Sequence, residues 1–220
     1  NYADVHNNLG IIFKDLGENQ QAKSCFEKTI EIKPNYALAH NNLGIIFKGL
    51  GENQKAKSCY EKAIEIDPNY ADVHNNLGII FKDLGEHQKA INCFEKAIAI
   101  DSVFAAAHNN LGLIFKNLGE HQKAINCFEK AIAIDSDFAA AHNNLGTLFY
   151  NTAEIQKAKD CFEKAISINP NHLEAHWNLQ GVFSNIDASL LILKKLYKID
   201  NKNTRAKIII SALEGYKGNF

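Results

Sequence analysis

His6-Asn7-Asn8-Leu9-Gly10 is the stretch that decides the fold. It returns at 40–44, 74–78, 108–112 and 142–146, and in altered form as His176-Trp177-Asn178-Leu179-Gln180. The interval is 34 residues each time. A strict interval of this size marks stacked helical hairpins, each too small to bury its own apolar face.

Working outward, 3–16 reads as one helix. Val5, Leu9, Ile12 and Leu16 form one stripe, and His6, Gly10 and Phe13 a second, both at helical spacing. Gly17 stops this helix, as a residue that tolerates positive φ. A second helix is expected over 18–32, with Ala22, Cys25, Phe26, Thr29 and Ile30 on its apolar side. Pro34 ends it, and Asn35 is placed to cap the next one.

Composition narrows the class. Of 220 residues, 46% are hydrophobic, and 24 Lys and Arg nearly balance 25 Asp and Glu. That balance argues against both disorder and a polycationic nucleic-acid surface. No apolar run reaches the roughly 18–20 residues needed to span a bilayer. The chain has no methionine, and its opening Asn1-Tyr2 matches the later joints Asn35-Tyr36 and Asn69-Tyr70, so the start reads as a cut through a longer array. The five cysteines, Cys25, Cys59, Cys93, Cys127 and Cys161, occupy equivalent places in successive repeats. Equivalent helices in a stack lie about 8–10 Å apart, beyond the roughly 7 Å that a disulfide spans. They are therefore expected as free, small packing residues, which fits a reducing, cytoplasmic setting.

The pattern H-x2-L-G-x2-F, then A-x3-F, then P resembles the tetratricopeptide repeat signature. Its register persists in Ala22/Phe26, Ala56/Tyr60, Ala90/Phe94, Ala124/Phe128 and Ala158/Phe162. Histidine stands where that family most often has tryptophan, and Ser102 and Ser136 replace the joint proline. The resemblance extends to the repeat arrays of O-GlcNAc transferase-like and bacterial multi-domain proteins. It implies an all-α, right-handed α-solenoid. Five near-identical units fill 1–170 (3–34, 37–68, 71–102, 105–136 and 139–170), and a divergent sixth follows over 171–203. In that sixth unit the inter-helix turn near Asn185-Ile186-Asp187 is expected to be shorter. A capping helix and tail occupy 204–220, the helix itself expected over 204–213.

The same resemblance puts the first helix of each hairpin on an inner, concave wall, where three ladders fall. One is a double asparagine row: Asn7 and Asn8, Asn41 and Asn42, Asn75 and Asn76, Asn109 and Asn110, Asn143 and Asn144, closing with Asn178. Exposed asparagine is a weak helix former, and a primary amide both donates and accepts, which suits peptide backbone. The row is similar to the asparagine ladder of O-GlcNAc transferase arrays, which holds peptide backbone, and the likeness carries best to Asn8, Asn42, Asn76, Asn110, Asn144 and Asn178. Duplication that copies every residue explains the same row without a ligand. The second ladder is Ile11, Ile45, Ile79 and Leu113, either a contact row for ligand side chains or half-buried between helices. The third is Lys14, Lys48, Lys82 and Lys116, ending at Tyr150. It is read either as attraction for an acidic segment or as a solvated face tempered by Asp4, Asp15, Asp72 and Asp83. Trp177, the sole tryptophan, is a groove anchor or a cover for the cap. The carboxylate-clamp pattern of chaperone-binding relatives needs Lys and Asn where this chain has Asn7 and Ile11, which disfavours that role.

Chemistry-bearing motifs are missing. The repeat histidines sit on packing stripes, one per repeat, and no C-x2-C spacing occurs, so no metal site is expected. His87 and His121 are expected to be exposed at second-helix starts. No phosphate loop or serine elbow is present. The sequence thus predicts a non-enzymatic scaffold without cofactor that binds an extended protein or peptide segment. Two other readings stay open: a recruiting module of a larger transferase, and end-to-end self-association through an exposed hairpin face.

Overall fold

The computed structural model describes residues 2–183 and 185–217, with side chains as far as Glu214. Among them are thirteen α-helices and no strand. The chain divides into two compact units, 1–114 and 115–220.

The first unit holds α1 (Tyr2–Asp15), α2 (Asn19–Ile32), α3 (Ala37–Gly49), α4 (Asn53–Ile66), α5 (Ala71–Asp83), α6 (His87–Ile100) and the start of α7 (Ala105–Asn117). The second holds the end of α7, then α8 (His121–Ile134), α9 (Ala139–Asn151), α10 (Ile155–Ile168), α11 (Leu173–Val182), α12 (Ile186–Ile199) and α13 (Thr204–Lys217). Residues 218–220 of the tail lie outside the described residues. Helix α1 packs with α2, α3 with α4, α5 with α6 and α9 with α10.

The second helix of each of the first five repeats buries one aromatic ring. Phe26, Tyr60, Phe94, Phe128 and Phe162 are all at most 1% exposed, and burying such a ring contributes roughly 2–3 kcal/mol. In four hairpins the ring lies against a glycine of the partner helix: Phe26 against Gly10, Tyr60 against Gly44, Phe94 against Gly78 and Phe162 against Gly146. A Cβ built on Gly78 would come within 2.6 Å of the Phe94 ring, and one on Gly44 within 2.5 Å of Tyr60. The glycine in the repeated motif therefore admits the ring.

The turn inside a hairpin uses a left-handed residue. Gly119 has φ 75°, whereas Ala153 takes the same place in the next repeat at φ 62°. Joints between hairpins differ from expectation. Asn35 does not cap α3; the N-cap is Tyr36, whose backbone carbonyl accepts from the Ala39 and His40 N–H groups. The residue that ends the preceding helix organises the later joints. Asp67 accepts from the N–H of Asn69 at 3.0 Å, and Asn169 from that of Asn171 at 3.0 Å. These are Asx turns, in which a short side chain satisfies the backbone two residues on.

The repeat histidine locks this joint to the following helix. Nε2 of His40, His74 and His176 lies 2.9 Å from the carbonyl oxygen of Pro34, Pro68 and Pro170. His142 reaches Ser136 in the same way at 3.1 Å. A carbonyl only accepts, so this nitrogen carries the proton. The ring thus fills the packing stripe and ties down a joint carbonyl.

The apolar stripe of the first helix is used differently along the first unit. Leu43 and Ile46 on α3 are 7% and 2% exposed, but their equivalents Leu9 and Ile12 on α1 are 39% and 55% exposed. In the second unit, α11 has 10 residues where α9 has 13. The shortening expected in the turn is therefore a lost helical turn. Asn185 then caps α12, accepting from the N–H of Asp187 at 2.7 Å and of Ala188 at 3.2 Å. The C-terminal core is Leu193, Leu196 and Ala206, against which Trp177, Ile209 and Ile210 pack. The closing helix α13 runs to Lys217, four residues past the expected end.

Candidate functional site

The structure divides the asparagine pair into two roles. The first members are buried: Asn7 1%, Asn41 6%, Asn75 7%, Asn109 6% and Asn143 1% exposed. This corrects the expectation that all these amides face a ligand. The second members reach back one repeat. Nδ2 of Asn42 donates to Oδ1 of Asn7 at 3.3 Å, Asn76 to Asn41 at 3.0 Å, and Asn110 to Asn75 at 2.9 Å. In the second unit, Asn178 donates to Asn143 at 2.9 Å. Each pair joins the first helices of neighbouring hairpins. A buried amide needs a partner, and a repeat supplies one at fixed offset. Asn41 also hydrogen-bonds the Tyr70 hydroxyl, whose pKa is raised mainly by burial and then by Asp72.

Apart from Asn42, the second asparagines are less enclosed. Asn8 is exposed, Asn42 is 5% exposed, and Asn76, Asn110, Asn144 and Asn178 are half-buried. The Oδ1 atoms of Asn76 and Asn110 receive no hydrogen bond among the described residues. Ile11, Ile45, Ile79 and Leu113 are half-buried, as are Lys14, Lys48, Lys82 and Lys116. Lys14 pairs with Asp15 and Lys82 with Asp83, each at 3.7 Å. Such surface pairs contribute little and leave the cations available.

The second unit breaks this pattern. Tyr150 is 43% exposed and Trp177 is half-buried. With Thr147, Phe162, Asn178 and Gly181 they line a cleft of about 120 Å³. Arg205 on α13 lays its guanidinium over the Trp177 ring, 4.9 Å from the centroid. Sequence reasoning named Tyr150, Trp177 and Asn178 but missed Thr147, Gly181 and Arg205. The signal was available in the positions where the last units depart from the common motif.

The remaining titratable groups read as structural. His121 is exposed as expected, but His87 is half-buried, with Nδ1 enclosed. No group of three or more possible metal ligands gathers among the described residues. None of the five cysteines is in a disulfide. Burial, then the Glu27 carboxylate, pushes the Cys59 thiol up to about 11; burial and Glu61 do the same for Cys93. Cys161 is also raised to about 11, by burial and then Asp160 and Glu129. A thiol so raised is a poor nucleophile near neutral pH. Among the described residues no helix is long and apolar enough to cross a membrane.

Hairpins keyed by a ring against a glycine, joined by a histidine and linked by paired amides, define a helical-repeat scaffold. The chain belongs to the tetratricopeptide repeat family: family profiles match residues 1–69 and 37–102, and again 105–138 and 139–172. No curated protein matches the sequence. Among solved structures it is similar to the Cut9–Hcn1 hetero-tetramer of the APC/C (20% identity, TM-score 0.85), where the match covers 96% of this chain and 42% of that one. It is similar to PilF of Pseudomonas aeruginosa at 21% identity, 97% coverage of both chains and TM-score 0.81. YrrB, described as a tetratricopeptide protein with an unusual peptide-binding site, matches at 22% identity over 82% of this chain and 95% of its own, with TM-score 0.60. Tetratricopeptide repeats are generally protein–protein interaction modules.

Proposed function

We propose that this chain binds an extended peptide segment of a partner protein along the exposed side of its first helices. The observation that carries this reading is the orientation of the second asparagines. In Asn76 and Asn110 the Nδ2 group is held by the preceding repeat, so the amide is fixed, and its Oδ1 is left without a partner among the described residues. A pre-oriented acceptor row suits backbone N–H groups. Neighbouring helices stand about 8–10 Å apart, and three residues of polyproline II chain advance about 9 Å. One N–H in three would then meet one asparagine per repeat. Ile45 and Ile79 flank the row on one side, and Lys48 and Lys82 follow a turn later, which favours a segment carrying apolar and acidic side chains.

The test is a display library of random peptides panned against the chain, followed by NMR of the asparagine side-chain amides. The reading expects recovered peptides to move the Asn42, Asn76 and Asn110 signals, and Lys48→Glu with Lys82→Glu to weaken acidic peptides. Recovery of none, or shifts confined to the second helices, would overturn it.

A second reading is supported by the exposed stripe of α1, where Tyr2, Val5 and Ile12 are 55–69% exposed. Such a face suits association between molecules. Sedimentation over a concentration series tests it. A mass that rises and then falls back on Ile12→Glu supports association, and a monomer throughout contradicts it.

A further inference from the structure

The cleft around Trp177 is where near-identical repeats stop being identical. In the common pattern, α3 carries Ile45 and Lys48, and α5 carries Asn75, Asn76 and Ile79. At the corresponding places α9 has Thr147 and Tyr150, and α11 has Trp177, Asn178 and Gly181. Of these five positions only the second asparagine is kept. The four changes converge in space on one cleft of about 120 Å³. That is room for about four waters, or one branched aliphatic side chain.

Its walls are the Trp177, Phe162 and Tyr150 rings, with Gly181 opening one side. The Tyr150 hydroxyl donates to the Gly181 carbonyl at 3.4 Å, which sets the ring's place. Asn178 is fixed by bonds from Nδ2 to Asn143 and Thr147, and its Oδ1 has no donor among the described residues.

Charge at this end supplies the second element. Over 186–214 there are six Lys and Arg against three Asp and Glu, a net +3, while the whole chain is −1. Lys194 is already paired with Glu214 at 2.6 Å. Arg205, the sole arginine, is stacked on the sole tryptophan and has no carboxylate partner among the described residues. Stacking leaves the N–H edge of a guanidinium free for a bidentate acceptor.

We propose that this cleft takes one aliphatic side chain of an acidic extended segment, and that Arg205 pairs with an Asp or Glu side chain beside it. This deepens the peptide-binding reading and rests on it. The aliphatic group displaces water between the Trp177 and Tyr150 rings, Asn178 Oδ1 accepts a backbone N–H, and the neighbouring carboxylate meets Arg205.

Trp177 is a built-in reporter. The probe is the blocked peptide acetyl-Glu-Glu-Leu-Glu-Glu-amide, titrated while Trp177 emission is followed. A saturable change is expected, weakened roughly tenfold by Arg205→Gln, in line with loss of one charge-assisted pair. Gly181→Ile restores the residue of the earlier repeats. A Cβ there meets only the Tyr150 hydroxyl, at 4.0 Å, so the fold tolerates it while the cleft fills. This variant should keep its melting temperature and lose the peptide, and replacing the peptide's Leu by Ala should also abolish binding. Equal binding by wild type, Arg205→Gln and Gly181→Ile would overturn the proposal, as would no change in emission. Binding only by a peptide with a free C-terminal carboxylate would also overturn it. If the Asn42, Asn76 and Asn110 amides respond to peptide but Trp177 does not, the groove stands and the cleft fails. If Trp177 alone responds, the cleft stands without the groove.

Discussion

The amides of the first unit and the aromatic end of the second occupy the same helical positions and do opposite things. Between α3 and α5, and between α5 and α7, a first asparagine is buried and answered by a second one 35 residues on. On α11 the first position is given to Trp177, which answers nothing and instead packs on the C-terminal core under Arg205. Repetition here marks interlock: a residue whose bond partner is its own copy must recur with the repeat. Departure from repetition marks the place where the surface is released for another use.

Four substitutions break or sharpen this contrast. The largest effect is expected from Gly78→Ala, which drives a methyl group into the Phe94 ring. A loss of about 3 kcal/mol in urea unfolding is expected from overpacking. Asn75→Ala comes next. It removes the acceptor for Asn110 and leaves that amide half-buried without its partner, costing about 2 kcal/mol by the same measurement. A gain is expected where one repeat is worse than its copies. Ala153→Gly relieves a left-handed alanine and should stabilise by about 1 kcal/mol, read as a rise in melting temperature. Asn8→Ala, at an exposed copy of the second position, should change stability least, by under about 0.5 kcal/mol.

The thiols give a pH signature that also scales with repetition. Cys59, Cys93 and Cys161 are raised to about 11 when folded, against about 8.5 unfolded. The folded state therefore holds protons that the unfolded chain releases. Its stability contribution is full below the unfolded value and is lost as pH rises towards about 11. The melting temperature should fall across that window, and fall less in the variant with all three cysteines changed to alanine.

Much of the fold was legible because the repeat multiplies weak local signals. The stacked helical hairpins and the left-handed Gly17 type turn follow from spacing. The role of the asparagines did not, because one helix gives the same polar stripe whether it faces water or a copy of itself. Burial of Asn75 depends on α7, which no local window contains. Asn35 misled because α3 begins at Ala37, so the residue before it, Tyr36, takes the cap position and no side chain caps the helix. Arg205 was missed because its partner, Trp177, lies nearly a full unit before it in the chain.

The most direct test of the interlock is a double-mutant cycle on Asn75 and Asn110, each changed to alanine singly and together, with stability read from urea unfolding. If the two amides hold one another across repeats, the double variant is more stable than the sum of the single losses by at least about 1 kcal/mol. Strict additivity would contradict the account, and the buried asparagines would then be copies kept by duplication alone.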